Sequence, residues 1–317
     1  MTNASAMTAL KTLTSTNKSL QTTQARISTG YRVAEASDNA AYWSIATTMR
    51  SDNKALSTVQ DALGLGAAKV DTAYTGVKSA IEVVDEIKAK LVAARETGVD
   101  RTKIQAEITQ LQGQLINNAA NSSFSGENWL SVNSSDVGYN ATKTVVSSFT
   151  RATDGTVTIG TISISTTSIK LFDAATDAAA AGTGILDGRY DATTGALLAN
   201  QSTGGFTVAS LNISALTNNA ADLTTLESYI KGVDHALGRM TTAASDLGAA
   251  KKRINLQQDF VTSLMDAIER GVGQLVDADM NKESTRLQAL QVQQQLGIQS
   301  LTIANANAQG VLSLFKG

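Results

Sequence analysis

The chain of 317 residues contains no cysteine, no proline and a single histidine, His235. Without cysteine there is neither a disulfide framework nor a thiolate metal site. One histidine, set between Asp234 and Ala236 in a helical repeat, reads as a solvated surface residue, and the inventory supports neither a catalytic triad nor a histidine metal cluster. Proline breaks helix interiors, so its absence permits very long helices. Aromatic residues are 4% of the chain and the net charge is -2, with no basic stripe interleaved with aromatics. Nucleic acid is therefore not an expected partner. The N-terminus lacks the compact apolar run after a basic segment that marks a secretory signal peptide. Export, where it occurs, is expected to use another route.

Charge is also missing locally. From Leu287 to Phe315 there is no charged side chain, yet nine amides, from Gln288 to Gln309, are scattered through the stretch. A bilayer core penalises such amides when unpaired, so this is not a membrane span. As a helix, it places Leu290, Leu301, Ala304, Ala308, Val311 and Phe315 on one side while Leu296 and Ile303 lie off it, and no face is reserved for ionic solvation. Both an ordinary buried C-terminal helix and a tightly packed protein interface fit these residues, with Leu314 next to the apolar end. The opposite end matches it. Between Met1 and Ala25 the charges are Lys11 and Lys18, and Ala6, Leu13, Leu20 and Ile27 recur every seventh residue. Leu10 flanks that seam, and Asn17 and Gln24 continue a second one. Two such helices can pair and still leave apolar surface that needs neighbouring molecules.

What the sequence has in abundance is a seven-residue period. After Gly30, with Ser37 or Asp38 placed to cap the next helix, Met49, Leu56, Leu63, Val70, Val77, Val84 and Leu91 fall at strict intervals of seven. A companion seam runs through Ile45, Val59, Gly66, Ala73, Ala80, Ile87 and Ala94, interrupted by Asp52. Thr97 and Gly98 end this helix, and Asp100 or Thr102 caps a shorter one with Ile104, Ile108, Leu111 and Leu115 on one face. The segment around Gly126 reads as a turn or small hairpin. Heptads return as Leu226, Val233, Met240, Leu247, Ile254, Val261, Ile268 and Leu275. Periods sustained this long specify coiled coil. The fold class expected is mostly α, a long antiparallel coiled-coil rod formed by the N- and C-terminal halves, with an inserted, mainly β outer domain. The insertion spans 132–221 and carries a hairpin signal at Asp154-Gly155, a phase shift of its apolar residues at Gly160, and an Ala-rich helical piece near Asp177 to Ala181. The rod takes 37–131 and 222–283, and the terminal helices take 1–36 and 284–317.

Nothing in the chain reads as catalytic. Glu82, Asp85 and Glu86 are helix-surface carboxylates with Lys88 and Lys90 as neighbours, and Gly64-Leu65-Gly66 does not follow a strand. No cofactor or metal is expected.

The residues then resemble a known family, bacterial flagellin. Arg26-Ile27-Ser28-Thr29-Gly30-Tyr31-Arg32-Val33 and Ala36-Ser37-Asp38-Asn39-Ala40-Ala41 are similar to its N-terminal signature. Ile104 to Ile108, Asn121 to Leu130, Asp277-Ala278-Asp279, Gln291 to Gln295 and Val311 to Leu314 resemble its further blocks. The style is closest to flagellins of plant-associated soil bacteria. The resemblance implies a structural subunit of a secreted, extracellular filament that polymerises with itself, or in a filament mixed with related flagellins. The terminal helices form its inner tube, the heptad helices its wall and the insertion its outer surface. It implies export by the flagellar type III apparatus, a cytoplasmic export chaperone that takes Leu287 to Phe315, and cap and hook-junction proteins as partners. A hook-filament junction or other axial protein is the competing reading. It further implies two sites read by immune receptors, from both of which this chain departs. The plant-recognised peptide aligns with Gln24 to Ala46, where Tyr31, Ala34, Glu35, Asn39, Tyr42 and Trp43 differ. The patch read by the animal toll-like receptor aligns with Glu86 to Leu91, where Glu86 and Ile87 replace a glutamine-arginine pair. Weak or absent recognition is expected at both.

Overall fold

The computed structural model describes residues 4–175, 183–198 and 204–314, with side chains described as far as residue 306. The elements follow the chain as α1 (Ala4–Thr29), α2 (Ala40–Ala93), α3 (Arg101–Asn121), β1 (Ser123–Phe124), β2 (Glu127–Asn128), β3 (Ser131–Val132), β4 (Thr142–Arg151), β5 (Val157–Ser165), β6 (Phe172–Asp173), β7 (Arg189–Tyr190), β8 (Phe206–Thr207), a 3-10 turn at Val208–Ser210, α4 (Ala220–Val276) and α5 (Met280–Leu314). The ends of the helices have local causes. Gly30 adopts φ +76°, a left-handed conformation that terminates α1 without a Cβ penalty. α2 is capped by Asn39, whose Oδ1 accepts from Tyr42 N at 3.1 Å. This corrects the assignment to Ser37 or Asp38. The Asp38 carboxylate faces the other way and accepts from Ala34 N and Glu35 N. Asp100 caps α3, accepting from Thr102 N and Lys103 N. Asn219 caps α4 through Asp222 N, and Asp279 caps α5 through Asn281 N and Lys282 N.

The chain divides into two compact units, Met1–Ala55 with Leu264–Gly317, and Leu56–Ser263. Within the second unit α2 and α4 run antiparallel in one unbroken register. Gln60 bonds to Thr262, Asp71 pairs with Lys251, Lys88 with Asp234 and Arg95 with Glu227. Each step up α2 is an equal step down α4, which is what two strict heptad seams produce when they pack. Leu56, Leu63, Val70, Val77, Val84 and Leu91 are buried, as are Leu247, Ile254 and Val261 facing them. The companion seam of Val59, Ala73, Ala80, Ile87 and Ala94 is buried too.

α3 folds back antiparallel to α2, tied by Asn118 to Ser79 and by Lys90 to Glu107. Its inward face is not the apolar stripe expected. Alongside Ile108, Leu115 and Ala119 it buries Arg101, Gln105 and Gln112. These polar groups satisfy the backbone of the segment that returns from the insertion. Ile213 N donates to Gln105 Oε1 at 2.8 Å, Gln112 Nε2 donates to the carbonyls of Val208 and Leu211, and Arg101 reaches Leu216 O and Asn218 Oδ1. That segment has no ladder of its own, and its buried amides and carbonyls need partners. Val208, Leu211 and Ile213 are buried beside them.

The turn at Gly126 is a small antiparallel hairpin of β1 and β2. β4 and β5 form the larger one around Gly155, at φ +86°. Ser147 is the extra residue of a bulge facing Gly160, where an added Cβ would lie 2.2 Å from Ser148 Oγ. β5 itself alternates through Gly160 without a break, so Ile162 and Ile164 are buried while Val157 and Ile159 lie on its exposed face. Gly66 lets Val145 reach the surface of α2, since an added Cβ there would sit 2.3 Å from the valine. Elsewhere among the described residues of the insertion, the strands are pairs of two residues, β3 with β6 and β7 with β8. Tyr190, Phe206 and Tyr229 stack at 6.0 and 4.4 Å. Asp173 accepts from Ser134, Lys170 and Thr183, which holds its carboxyl near 2 despite burial. Beside it, burial pushes the Asp187 carboxyl up. The helical piece expected near Asp177 to Ala181 lies outside the described residues.

In the first unit, Val33, Ala46, Val272 and Val276 form a core with Met49, Ile268 and Leu275 packed against it. Ile45 is corrected here: it is 48% exposed, and the smaller Ala46 takes the inward position.

Leu63→Ala is expected to cost about 2–5 kcal/mol of stability, because the site is sealed on all sides and leaves a cavity. Leu256→Ala, on an exposed position of α4, should stay within about 0.5 kcal/mol, both read by urea unfolding of the subunit. Lys143 and Lys69 together hold Glu127 at a pKa of about 2, below its ordinary 4.5. Their bridge therefore stabilises fully above pH 4.5 and is lost as pH falls towards 2, and Glu127→Gln should flatten the fall of the unfolding midpoint across that interval.

Candidate assembly surface

α1 and α5 pair antiparallel in the first unit: Leu13 packs on Gly297, Gln294 Nε2 donates to Asn17 Oδ1 at 2.8 Å, and Arg26 pairs with Glu283 at 3.3 Å. On α5 the inward stripe is Glu283, Leu287, Leu290, Gln294, Gly297, Leu301 and Ala304, a heptad pattern of mixed polarity. On α1 the seam of Ala6, Leu13, Leu20 and Ile27 is half-buried; of Leu10, Asn17 and Gln24 only Asn17 is half-buried, at its bond to Gln294, and the main companion row is Ala9, Thr16 and Thr23. Small residues in that row allow the helices to approach, and the choice turns Leu10 outward. No run of leucines announced it, so the sequence reading missed Thr16 and Thr23.

The pair leaves much apolar surface in solvent. Leu10 is 54% exposed, Leu296 55% and Ile303 62%, joined by Met7, Val292 and Ile298. Of the proposed interface residues, Leu13, Leu20, Ile27, Leu290 and Leu301 thus serve the pair itself, while Leu10, Leu296 and Ile303 face outward. Val311 and Leu314 lie in α5 with side chains outside the description, and Phe315 lies outside the described residues.

The entry to this pair is knitted by backbone. Arg32 N and Val33 N donate to Val276 O, Ala278 N donates to Gly30 O, and Tyr31 forms a bridge with Asp277. The Arg32 guanidinium donates to Leu275 O, and Arg50 stacks over the Tyr31 ring at 4.8 Å. Two sequence blocks far apart in the chain, around Gly30 and around Asp277, are therefore one structural joint. Tyr31, Tyr42 and Trp43 are exposed, and Asn39 is occupied as a helix cap. Glu86 is exposed, whereas Ile87 is wholly buried and presents no side chain to a receptor. Among the described residues, no group of three acidic, histidine or cysteine side chains is placed to hold a metal, and no helix is long and apolar enough to cross a membrane.

Comparison with known proteins places these helices. The family model described as bacterial flagellin N-terminal helical region matches residues 1–135, and the one described as bacterial flagellin C-terminal helical region matches residues 230–315. Flagellin C of Rhizobium meliloti strain 1021 is 50% identical over 324 residues, covering all of this chain and 98% of the relative. The chain belongs to the bacterial flagellin family. Flagellin A of the same strain is 47% identical over 397 residues, again with all of this chain and 99% of the relative covered. That alignment is longer than the chain, so Flagellin A carries segments absent here. A flagellin of Brucella melitensis biotype 1 is 46% identical over 318 residues, with 100% and 99% covered. The two flagellin helical regions contain the whole of α1, α2, α3 and α5, and stop short of most of the insertion.

Glu283 is buried, and its Oε2 has no hydrogen-bond partner. Arg26→Met would leave this carboxylate with only Arg286, at 4.0 Å, as a counterion. The variant is expected to lose about 3 kcal/mol from the α1–α5 pair, seen as earlier proteolysis of both ends, with Arg26→Met/Glu283→Leu recovering most of the loss.

Proposed function

We propose that this chain is a structural subunit of the bacterial flagellar filament, adding head-to-tail to copies of itself. The observation that carries the reading is the bare apolar side of the α1–α5 pair, in a chain whose full length aligns with flagellins. A non-closing polymer needs one surface that complements a different surface on the next copy. Met7, Leu10, Val292, Leu296, Ile298 and Ile303 supply one such surface. In a free subunit the pair has little apolar burial to offset its ordering entropy, so it is the first part to open. Addition at a growing tip then couples ordering to docking, and makes elongation favourable only where a site already exists.

In this reading 1–36 and 284–317 build the inner tube, 37–131 and 222–283 the wall, and 132–221 the outer surface. The uncharged segment from Leu287 to Phe315 is the part an export chaperone would cover before assembly. Cap and hook-junction proteins would meet the same terminal helices at the two ends of the filament. The role is structural rather than catalytic, and the site of action is extracellular. A junction protein, the competing axial reading, is not favoured by relatives that are flagellins over their whole length. Divergence at Tyr31, Asn39, Tyr42 and Trp43, and the burial of Ile87, favour weak reading by the receptors that detect other family members.

Sedimentation of three purified proteins tests this: the full chain, a form lacking 287–317, and Leu296→Asp. The full chain should pellet as polymer. The other two should stay in the supernatant at the same concentration, with the Leu296→Asp subunit retaining its helical circular dichroism because the position is exposed before assembly. The inner contacts being uncharged, added salt should shift the critical concentration little. Polymerisation of all three alike would remove the terminal pair from the mechanism.

A further inference from the structure

Two carboxylates meet inside the insertion under opposite conditions. Asp173, on β6, is well provided: Ser134 N and Oγ, Ala175 N, Thr183 Oγ1 and the Lys170 ammonium all donate to it. Asp187 is not. Its Oδ2 accepts from Asp173 N at 2.6 Å, while its Oδ1 is sealed from solvent without a hydrogen bond. Of the cations near it, Lys170 is taken by Asp173 and Thr183. Arg239 of α4 comes within 3.6 Å of where a Cβ on Gly188 would lie, and its Nη1 is sealed and unpartnered as well. The remaining titratable neighbour, Tyr190, is wholly buried and donates to Ile185 O. Burial raises the Asp187 carboxyl above its ordinary 3.8, and the like charge of Asp173 adds to this, while the amides of Asp173, Gly184 and Asp187 itself oppose it without offsetting it.

The packing also decides what can meet Oδ1. A Cβ added at Gly184 would lie 2.4 Å from it and 2.4 Å from Leu171 O, so no further heavy atom fits on that side. A proton needs no such room. The stretch that carries Asp187 is a connector: Ile185 N donates to Lys170 O, Leu186 N to Leu171 O, and Ala209 N to Leu186 O. It joins the strand end at β6 to the segment that returns onto α3.

We propose that Asp187 is a proton-operated catch on the insertion. Ionised, it leaves one uncompensated charge within the stretch from Thr183 to Tyr190 and loosens that stretch against β6 and α4. Protonated, it is neutral, keeps the bond from Asp173 N, and the stretch closes. The proton comes from the medium, and the catch works in the subunit whatever the subunit assembles into. The folded state binds this proton more tightly than the unfolded chain, so the stretch gains stability as pH falls through the raised value and gains nothing further below 3.8. The opposing losses at Glu127 and Asp173, both held near 2, set in below 4.5 and 3.8, and a variant of Asp187 alone separates them.

Hydrogen exchange of the full-length subunit, resolved by peptide mass and corrected for intrinsic rates, tests this from about pH 7 to about pH 4. Peptides covering 183–190 should grow more protected as pH falls, relative to those of the α2 seam from Leu63 to Leu91. Asp187→Asn keeps an acceptor for Asp173 N and carries no charge. At about pH 7 it should be protected as the parent is at about pH 5, with the pH dependence of 183–190 lost. Infrared difference spectra of the parent with isotope-labelled aspartate need no variant, and should show a protonated aspartate above the pH at which exposed aspartates titrate. Protection of 183–190 that does not change with pH, no such infrared band, or a pH dependence that survives in Asp187→Asn would each overturn the proposal, because Oδ1 would then already have its partner.

Discussion

The structure turns on a mismatch between two helices: α1 and α5 carry more apolar surface than either can hide on the other. α5 has no charged residue after Arg286 within the described chain, so every side of it is neutral. Its heptad stripe reaches α1, and Val292, Leu296, Ile298 and Ile303 stay off that stripe. Apolar area left in water costs about 25 cal/mol per Å², and large side chains left exposed in this number mark an interaction surface. The amides on the inward stripe add direction to the contact, since Asn17 with Gln294 and Arg26 with Glu283 satisfy each other in one register. A buried polar pair of this type penalises slippage more than it adds stability.

The helices of the second unit solve a different problem with the same repeat. α2 and α4 keep strict spacing, so ion pairs such as Lys88 with Asp234 line up beside an apolar core without a break in register. α3 uses the core positions of its own heptads for Arg101, Gln105 and Gln112, whose donors and acceptors replace the ladder missing from the segment after β8. An irregular strap can be buried there because side chains, not neighbouring strands, take up its backbone groups. The insertion is thereby attached to the helices at both of its ends, at Leu130 and Trp129 on one side and at Val208 to Ile213 on the other.

Much of this was legible in the sequence. Seven-residue spacing named the inward residues of α2 and α4, and Gly30, Gly126 and Gly155 marked turns that require positive φ. The family resemblance pointed to flagellin from short blocks, two of which turn out to be one joint, Gly30 with Ala278 and Tyr31 with Asp277. What sequence spacing could not choose was the second seam of α1, because a seam can advance by three or four residues and only the partner helix decides. Ile45 failed for the related reason that Ala46, one residue on, fits a tighter core. Gln105 and Gln112 were passed over because amides look like surface residues until an unpaired backbone lies opposite them. The orphan oxygen of Asp187 has no sequence signature at all.

Hydrogen exchange resolved by peptide mass, compared between free subunit and assembled polymer, tests the central claim most directly. Residues 4–29 and 280–306 should exchange quickly in the subunit and become protected in the polymer, while the buried seam from Leu63 to Leu91 should be protected in both. Terminal helices already as protected in the free subunit as in the polymer would contradict the account, because their apolar side would then need no neighbour.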